Sequence, residues 1–198
     1  QVVHPEDTSP GAVVAFLRAN AGHFPIFTNQ QFPAPSGWYW VPWGMTYQLT
    51  KQEDLPKLPE LVHSNDAIWV NYHDPTTGIL SRYNHLMLAD VRDVYAASRI
   101  AYGKILLRGG MLPQARRQFQ EAVLLTPDTY GADAYTYLGL TFLFEGTCDE
   151  ARISFEEARR VSLVPDASLI LYEASLACDC EKNPIRAQKM LELYEKEK

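Results

Sequence analysis

The sequence predicts a mainly α protein in which a stack of about three helical hairpins follows a small, aromatic-rich α/β domain. Three observations carry this. Residues of the second half recur at an interval of 36, and periods of this size belong to stacked helical hairpins. Composition changes along the chain: residues 1–95 hold all four Trp and 9 of the 13 Pro, whereas residues 96–198 hold no Trp and 4 Pro. Turn signals punctuate the second half at Gly109-Gly110, Pro127-Asp128, Gly146-Thr147, Pro165-Asp166 and Asn183-Pro184. Proline-poor sequence rich in Ala, Leu, Glu and Arg favours helix, and proline with aromatics favours turns and short strands. The shift falls between residues 80 and 95, so the domains are set at 1–87 and 88–198.

With 46% hydrophobic and 21% charged residues, the chain has ordinary globular composition, which argues against a disordered or disulfide-dense protein. A net charge of −6 gives no reason to expect a nucleic acid as partner. No apolar run reaches the roughly 18–20 residues of a transmembrane helix, and no signal peptide pattern stands at the start. Because the chain opens at Gln1, the expectation is a processed protein or an excised segment.

In the first half, Ser9-Pro10 signals a helix over Gly11–Ala21. Pro25–Thr28 reads as a short buried strand, Ile68–Tyr72 as a second, and Met45–Leu49 as a third. Pro56 and Pro59 limit Leu55–His63 to a short helix. A long helix over about 86–109 joins the halves, with Leu86, Leu88, Val91, Val94 and Tyr95 at helical spacing. Further helices follow over 113–125, 131–145, 149–161, 167–179 and 184–196. Pro113 and Pro184 suit first turns, and Asp149 is read as an N-cap.

The repeat is carried by Gly103 and Gly139; by Ala115, Ala151 and Ala187; by Phe119, Phe155 and Leu191; and by Ala122 and Ala158. Small residues sit where helices cross, and a large residue one turn later fills the next gap. Tyr135, Leu138, Gly139, Phe142, Ala151 and Phe155 resemble the tetratricopeptide repeat, whose pattern is an aromatic, Leu-Gly, an aromatic, then Ala-x-x-x-Phe and a closing Pro. Tyr102, Gly103, Leu106, Ala115, Phe119, Ala122 and Pro127 resemble it too, with Arg99 in place of the first aromatic. Leu171, Ala174, Ser175, Cys178, Ala187 and Leu191 keep only the size pattern. The units run over about 96–129, 132–165 and 168–198. The interval of 36 exceeds the usual repeat of about 34 residues, with the extra residues expected at the connections near Tyr130-Gly131 and Leu163–Asp166.

The resemblance implies a binding groove lined by the first helix of each unit. Its lining falls on Ile100, Lys104, Leu107, Arg108, Asp133, Thr136, Leu140, Phe144, Leu169 and Tyr172. This mixed, rather apolar set suits an amphipathic helix or an extended apolar segment of another protein; the other reading is that the first domain or an oligomer fills it. No solvating helix follows Glu195–Lys198, so the last hairpin is expected to be covered by another chain or by further sequence.

The stretch Gly37–Tyr47 is dense in rings, including Trp38, Trp40 and Trp43. These either pack a small sheet, the favoured reading, or form a carbohydrate-stacking platform. Phe24–Asn29 and Val41–Leu49, followed by the tyrosine-bearing helix, resemble the soluble C-terminal region of bacterial membrane proteins similar to protein O-mannosyltransferases. That resemblance implies an extracytoplasmic, membrane-associated location and a membrane domain in the same polypeptide that holds the catalysis. Gln30 and Gln31 stand where that motif carries acidic residues.

No two of His4, His23, His63, His73 and His85 have the spacing of a helical metal pair. His73-Asp74 reads as a strand-end turn, His85 as a structural histidine near the domain junction, and Asp90, Arg92 and Asp93 as a solvated helix face. No phosphate loop or nucleophile elbow appears, so no catalytic residue, metal or cofactor is expected. Stacking brings the turn of the second hairpin, with Cys148, to the end of the next helix, with Cys180. In an extracytoplasmic protein these two would form a disulfide and leave Cys178 a buried thiol; otherwise all three are reduced structural cysteines. The functional expectation is a non-catalytic module that binds another protein. The alternative is an accessory domain of a membrane-bound glycosyltransferase-like protein, contacting glycan or the membrane domain.

Overall fold

A computed structural model describes residues 10–73, 75, 77, 86–126, 130–162 and 167–197. It is mainly α, with a small three-stranded sheet near the N-terminus. The chain divides into two units, Gln1–Asp74 and Pro75–Lys198; the compositional boundary lies further along, at 87. Among the described residues no helix is long and apolar enough to cross a membrane. Ser9, Asp74, the turns at 127–128 and 163–166, His4 and His85 lie outside the described residues.

The first unit opens with α1 (Pro10–Asn20), close to the expected helix. Its sheet has the order β1-β3-β2, all antiparallel, with β1 at Phe27–Thr28, β2 at Trp38–Trp43 and β3 at Thr46–Lys51. β3 is central, pairing Phe27 with Gln48 on one side and Trp40 with Leu49 on the other. Pro42 sits on the edge strand β2, where its missing N–H disturbs least. A two-residue turn joins β2 to β3. Gly44 takes φ +60° at its first position, which hairpin turns of this length reserve for glycine.

Three expectations for this unit are corrected. Pro25–Thr28 was expected to be a buried strand, but only Phe27–Thr28 pair and Phe27 is exposed. Leu55–His63 was expected to hold a short helix and Ile68–Tyr72 a strand. Instead α2 runs unbroken over Leu58–Trp69. Pro59 lies in its first turn, where no helical donor is lost, and the Lys57 backbone N–H donates to the Glu60 carboxylate at 3.2 Å. Leu61, Asn65 and Trp69 form its buried stripe at four-residue spacing, while Val70 is 83% exposed. The apolar run that looked like a strand is the helix end, and His73 follows α2 rather than a strand.

Asn65 fixes α2 to the hairpin. Fully buried, it accepts from the Gly44 N–H at 2.9 Å and donates to the carbonyls of Pro42 at 2.9 Å and Leu61 at 3.0 Å. A Cβ on Gly44 would stand 2.6 Å from Ile68 Cγ2 and 2.7 Å from the Tyr72 hydroxyl, so the turn lies directly on the end of α2.

The second unit is built of helices α3 (Leu86–Arg108), α4 (Leu112–Leu125), α5 (Gly131–Glu145), α6 (Cys148–Val161), α7 (Ala167–Ser175) and α8 (Pro184–Glu197). They pack as the pairs α3–α4, α5–α6 and α7–α8, and each pair touches the next. Ala115, Ala122, Ala151 and Ala158 are fully buried at the crossings. A Cβ on Gly103 would stand 2.6 Å from the Phe119 ring, and one on Gly139 would stand 2.5 Å from the Phe155 ring. Each ring therefore fills the space that the missing side chain leaves, once per hairpin. The third pair lacks this interlock: Leu191, in the position of the phenylalanines, is 45% exposed.

The hairpins also share a turn. Gly110 and Gly146 have φ of +73° and +76°. Met111 N–H donates to Leu106 O and Thr147 N–H to Phe142 O, the closing bonds of a left-handed helix cap. Lys182 repeats the geometry with φ +52°. Here the bond runs from Asn183 N–H to Ala177 O, one residue wider, because Leu176–Cys180 form a π-helical turn. Asp149 is not the N-cap of α6; the helix starts a residue earlier and Thr147 holds that position. Asn183 caps α8 through its Oδ1, which accepts the Arg186 N–H at 3.0 Å.

Candidate functional site

The groove residues separate into two groups. Ile100, Leu107, Thr136 and Leu169 are buried, which corrects their expected place on an open surface. α3 packs on both α4 and α5, and Leu169 lies in the core with Phe155 and Ala158. Thr136 also turns its hydroxyl back onto the Ala132 carbonyl at 2.7 Å. Lys104 is half-buried with its ammonium 4.2 Å above the Tyr137 ring, and that ring stacks on Phe119 at 5.7 Å. Tyr172 is half-buried against Phe155, at 6.5 Å between ring centres. Arg108, Asp133 and Phe144 are exposed and Leu140 is half-buried. Phe144, 62% exposed near the end of α5, is the large ring this helix presents to solvent.

Ion pairs reinforce the helix contacts. Arg99, standing where the repeat pattern has an aromatic, reaches Gln118 and Glu121 on α4, both at 2.8 Å. Arg116 on α4 meets Glu145 on α5 at 2.8 Å. Arg159 on α6 meets the buried Glu173 on α7 through both carboxylate oxygens. Its hydrogen bond to that carboxylate raises the Arg159 pKa above the ordinary guanidinium value, against partial desolvation.

The junction between the second and third hairpins is covalent. Cys148 and Cys180 form a disulfide with their Cα atoms 5.7 Å apart. Phe155, Ala158, Leu169 and Leu176 pack in one core beside it. Cys178 is an exposed free thiol, not the buried one expected. The π-helical turn explains this: Leu176 and Ala177 face inward, and the widened turn carries Cys178 and Asp179 outward before Cys180 returns to Cys148.

The three tryptophans of β2 do not act together. Trp40 is engaged locally, its indole N–H donating to the Phe32 carbonyl at 2.6 Å. Trp38 and Trp43 line a cleft of about 510 Å³ with His23, Phe24, Pro25, Gln48, Thr50, Lys51 and Asp54, among others. A second cleft, of about 540 Å³, is lined by Ser36, Gly37, Trp38, Lys51, Gln52 and Glu53. His63 and His73 are exposed and line neither. Among the described residues, no three His, Cys, Asp or Glu side chains gather to hold a metal ion.

Sequence reasoning missed the polar lining of these clefts and the role of Asn65. Neither is signalled by a motif, because both depend on which strand residues meet the Gln52–Asp54 turn and α2. It also missed the interval of 36 between Gly110 and Gly146, which was available as a further repeat signal. No known protein family matches this sequence, and no curated protein matches it.

Proposed function

We propose that the chain is a non-catalytic module that binds another protein, with its hairpins of the tetratricopeptide type. The observation that carries this reading is the recurrence, 36 residues apart, of the Gly103–Phe119 and Gly139–Phe155 interlocks. Repeats of this kind bury a continuous core between neighbours and leave their first-helix faces for partners. On α5 that face offers Phe144 with Leu140 and Asp133, an apolar anchor beside polar groups. The Cys148–Cys180 disulfide supports an extracytoplasmic, oxidising location.

The test is retention of a partner from an extract of the source by the full chain and by its Phe144→Glu variant. Phe144 is mostly exposed, so the variant is expected to melt like the parent. A partner held by the parent and released by the variant supports the reading. Partners retained equally by both, or none retained by either, count against it.

A further inference from the structure

The two clefts of the first unit share Trp38 and Lys51. One ring and one ammonium group therefore stand on the ridge between adjoining concavities. Each cleft is within the roughly 300–1,000 Å³ range of small-molecule sites. A ligand that uses both must be elongated and must cross Trp38.

The lining fixes the chemistry of such a ligand. Phe24, Trp38 and Trp43 supply flat apolar surface, and Phe24 and Trp43 are exposed rather than consumed by the core. Gln48 and Asp54 supply planar amide and carboxylate groups beside those rings. Charge gives no attraction for an anion: Lys51 is paired with Glu53 at 2.8 Å, and Asp54 leaves the site without cationic excess. A neutral ligand with apolar faces and a dense fringe of hydroxyls satisfies both sets of groups. A proline-rich peptide also seeks aromatic grooves, but its prolines carry no N–H to donate to the Asp54 carboxylate or the Gln48 amide oxygen, whereas sugar hydroxyls can.

We infer that this double cleft binds a neutral oligosaccharide, laid along the Trp38 and Lys51 ridge that the two clefts share. The inference concerns the first unit and is independent of the protein-binding reading of the hairpins.

The experiment titrates the full chain with mannotetraose, cellotetraose, maltotetraose and chitotetraose, and with their three parent monosaccharides (mannose, glucose and N-acetylglucosamine), followed by calorimetry and tryptophan fluorescence. The expected result is binding of at least one tetrasaccharide about tenfold or more tighter than its monosaccharide. Trp43→Ala should weaken that binding about tenfold with unchanged thermal unfolding. Trp38→Ala should weaken it further, but Trp38 packs near Gly22, so Trp43→Ala and Gln48→Ala keep the test interpretable if Trp38→Ala unfolds. The proposal is overturned by no response to any of the four, by equal affinity for tetrasaccharide and monosaccharide, by unaltered affinity in Trp43→Ala, or by binding of a polyproline peptide in place of the saccharides.

Discussion

Lys182 adopts the left-handed backbone conformation that Gly146 adopts 36 residues earlier. The turn geometry of the repeat has been kept at a position where the residue suited to it has been lost. A side chain in this region crowds the following carbonyl, at a cost of about 1 kcal/mol. Lys182→Gly should therefore raise stability by about 1 kcal/mol, and Gly146→Ala should lower it by a similar amount. Urea unfolding of the two variants decides this; a destabilised Lys182→Gly would mean that the lysine side chain contributes more than its backbone strain removes.

Gly139 and Phe155 should behave as one unit. Adding a methyl group at Gly139 places it 2.5 Å from a ring that is 1% exposed, and overpacking of this kind costs about 1–3 kcal/mol. Phe155→Leu alone opens a gap, but combined with Gly139→Ala it should recover part of the loss. A double-mutant cycle reads the coupling, expected at about 1 kcal/mol; additive effects would show that the two residues do not interlock.

The disulfide closes a loop with a sequence separation of 32 residues, which corresponds to about 3.7 kcal/mol of stability. Cys148→Ser with Cys180→Ser should lose about that much, and reduction of the parent should approach the same midpoint. Cys178→Ser should leave stability within about 0.5 kcal/mol, since the residue is exposed. Under native, non-reducing conditions a maleimide should label one thiol per chain, at Cys178; labelling at Cys148 or Cys180 would contradict the pairing.

Asn65 serves two elements at once. Asn65→Ala removes its hydrogen bonds to Gly44, Pro42 and Leu61 and strands buried backbone groups, for a loss of at least about 2 kcal/mol. Amide exchange should then accelerate at Gly44 while the α5–α6 amides stay protected. Uniform acceleration throughout the chain would show that Asn65 does not act locally.

The helices of the second unit were legible because their signals are local and repeated. Ala115 and Ala151, Phe119 and Phe155, and the punctuating glycines and prolines each mark one hairpin, and a 3.6-residue period needs no distant partner to be recognised. Ile68–Tyr72 misled because an apolar run of that length fits a strand or a helix end equally well; the Val70 N–H donating to the Asp66 carbonyl four residues back marks it as a helix end.

By itself, then, the sequence determined the mainly helical class, the hairpin interval and the residues at the helix crossings. Tertiary structure alone decided which groove candidates stay open, since Ile100 and Thr136 are buried while Phe144 is 62% exposed. It also decided the exposure of Cys178 and the parting of Trp40 from Trp38 and Trp43. The reason is physical: periodicity specifies which face of an element is apolar, whereas burial depends on what distant elements bring against that face. A single extra residue in a π-helical turn, or one indole N–H finding a loop carbonyl, leaves no trace in local pattern.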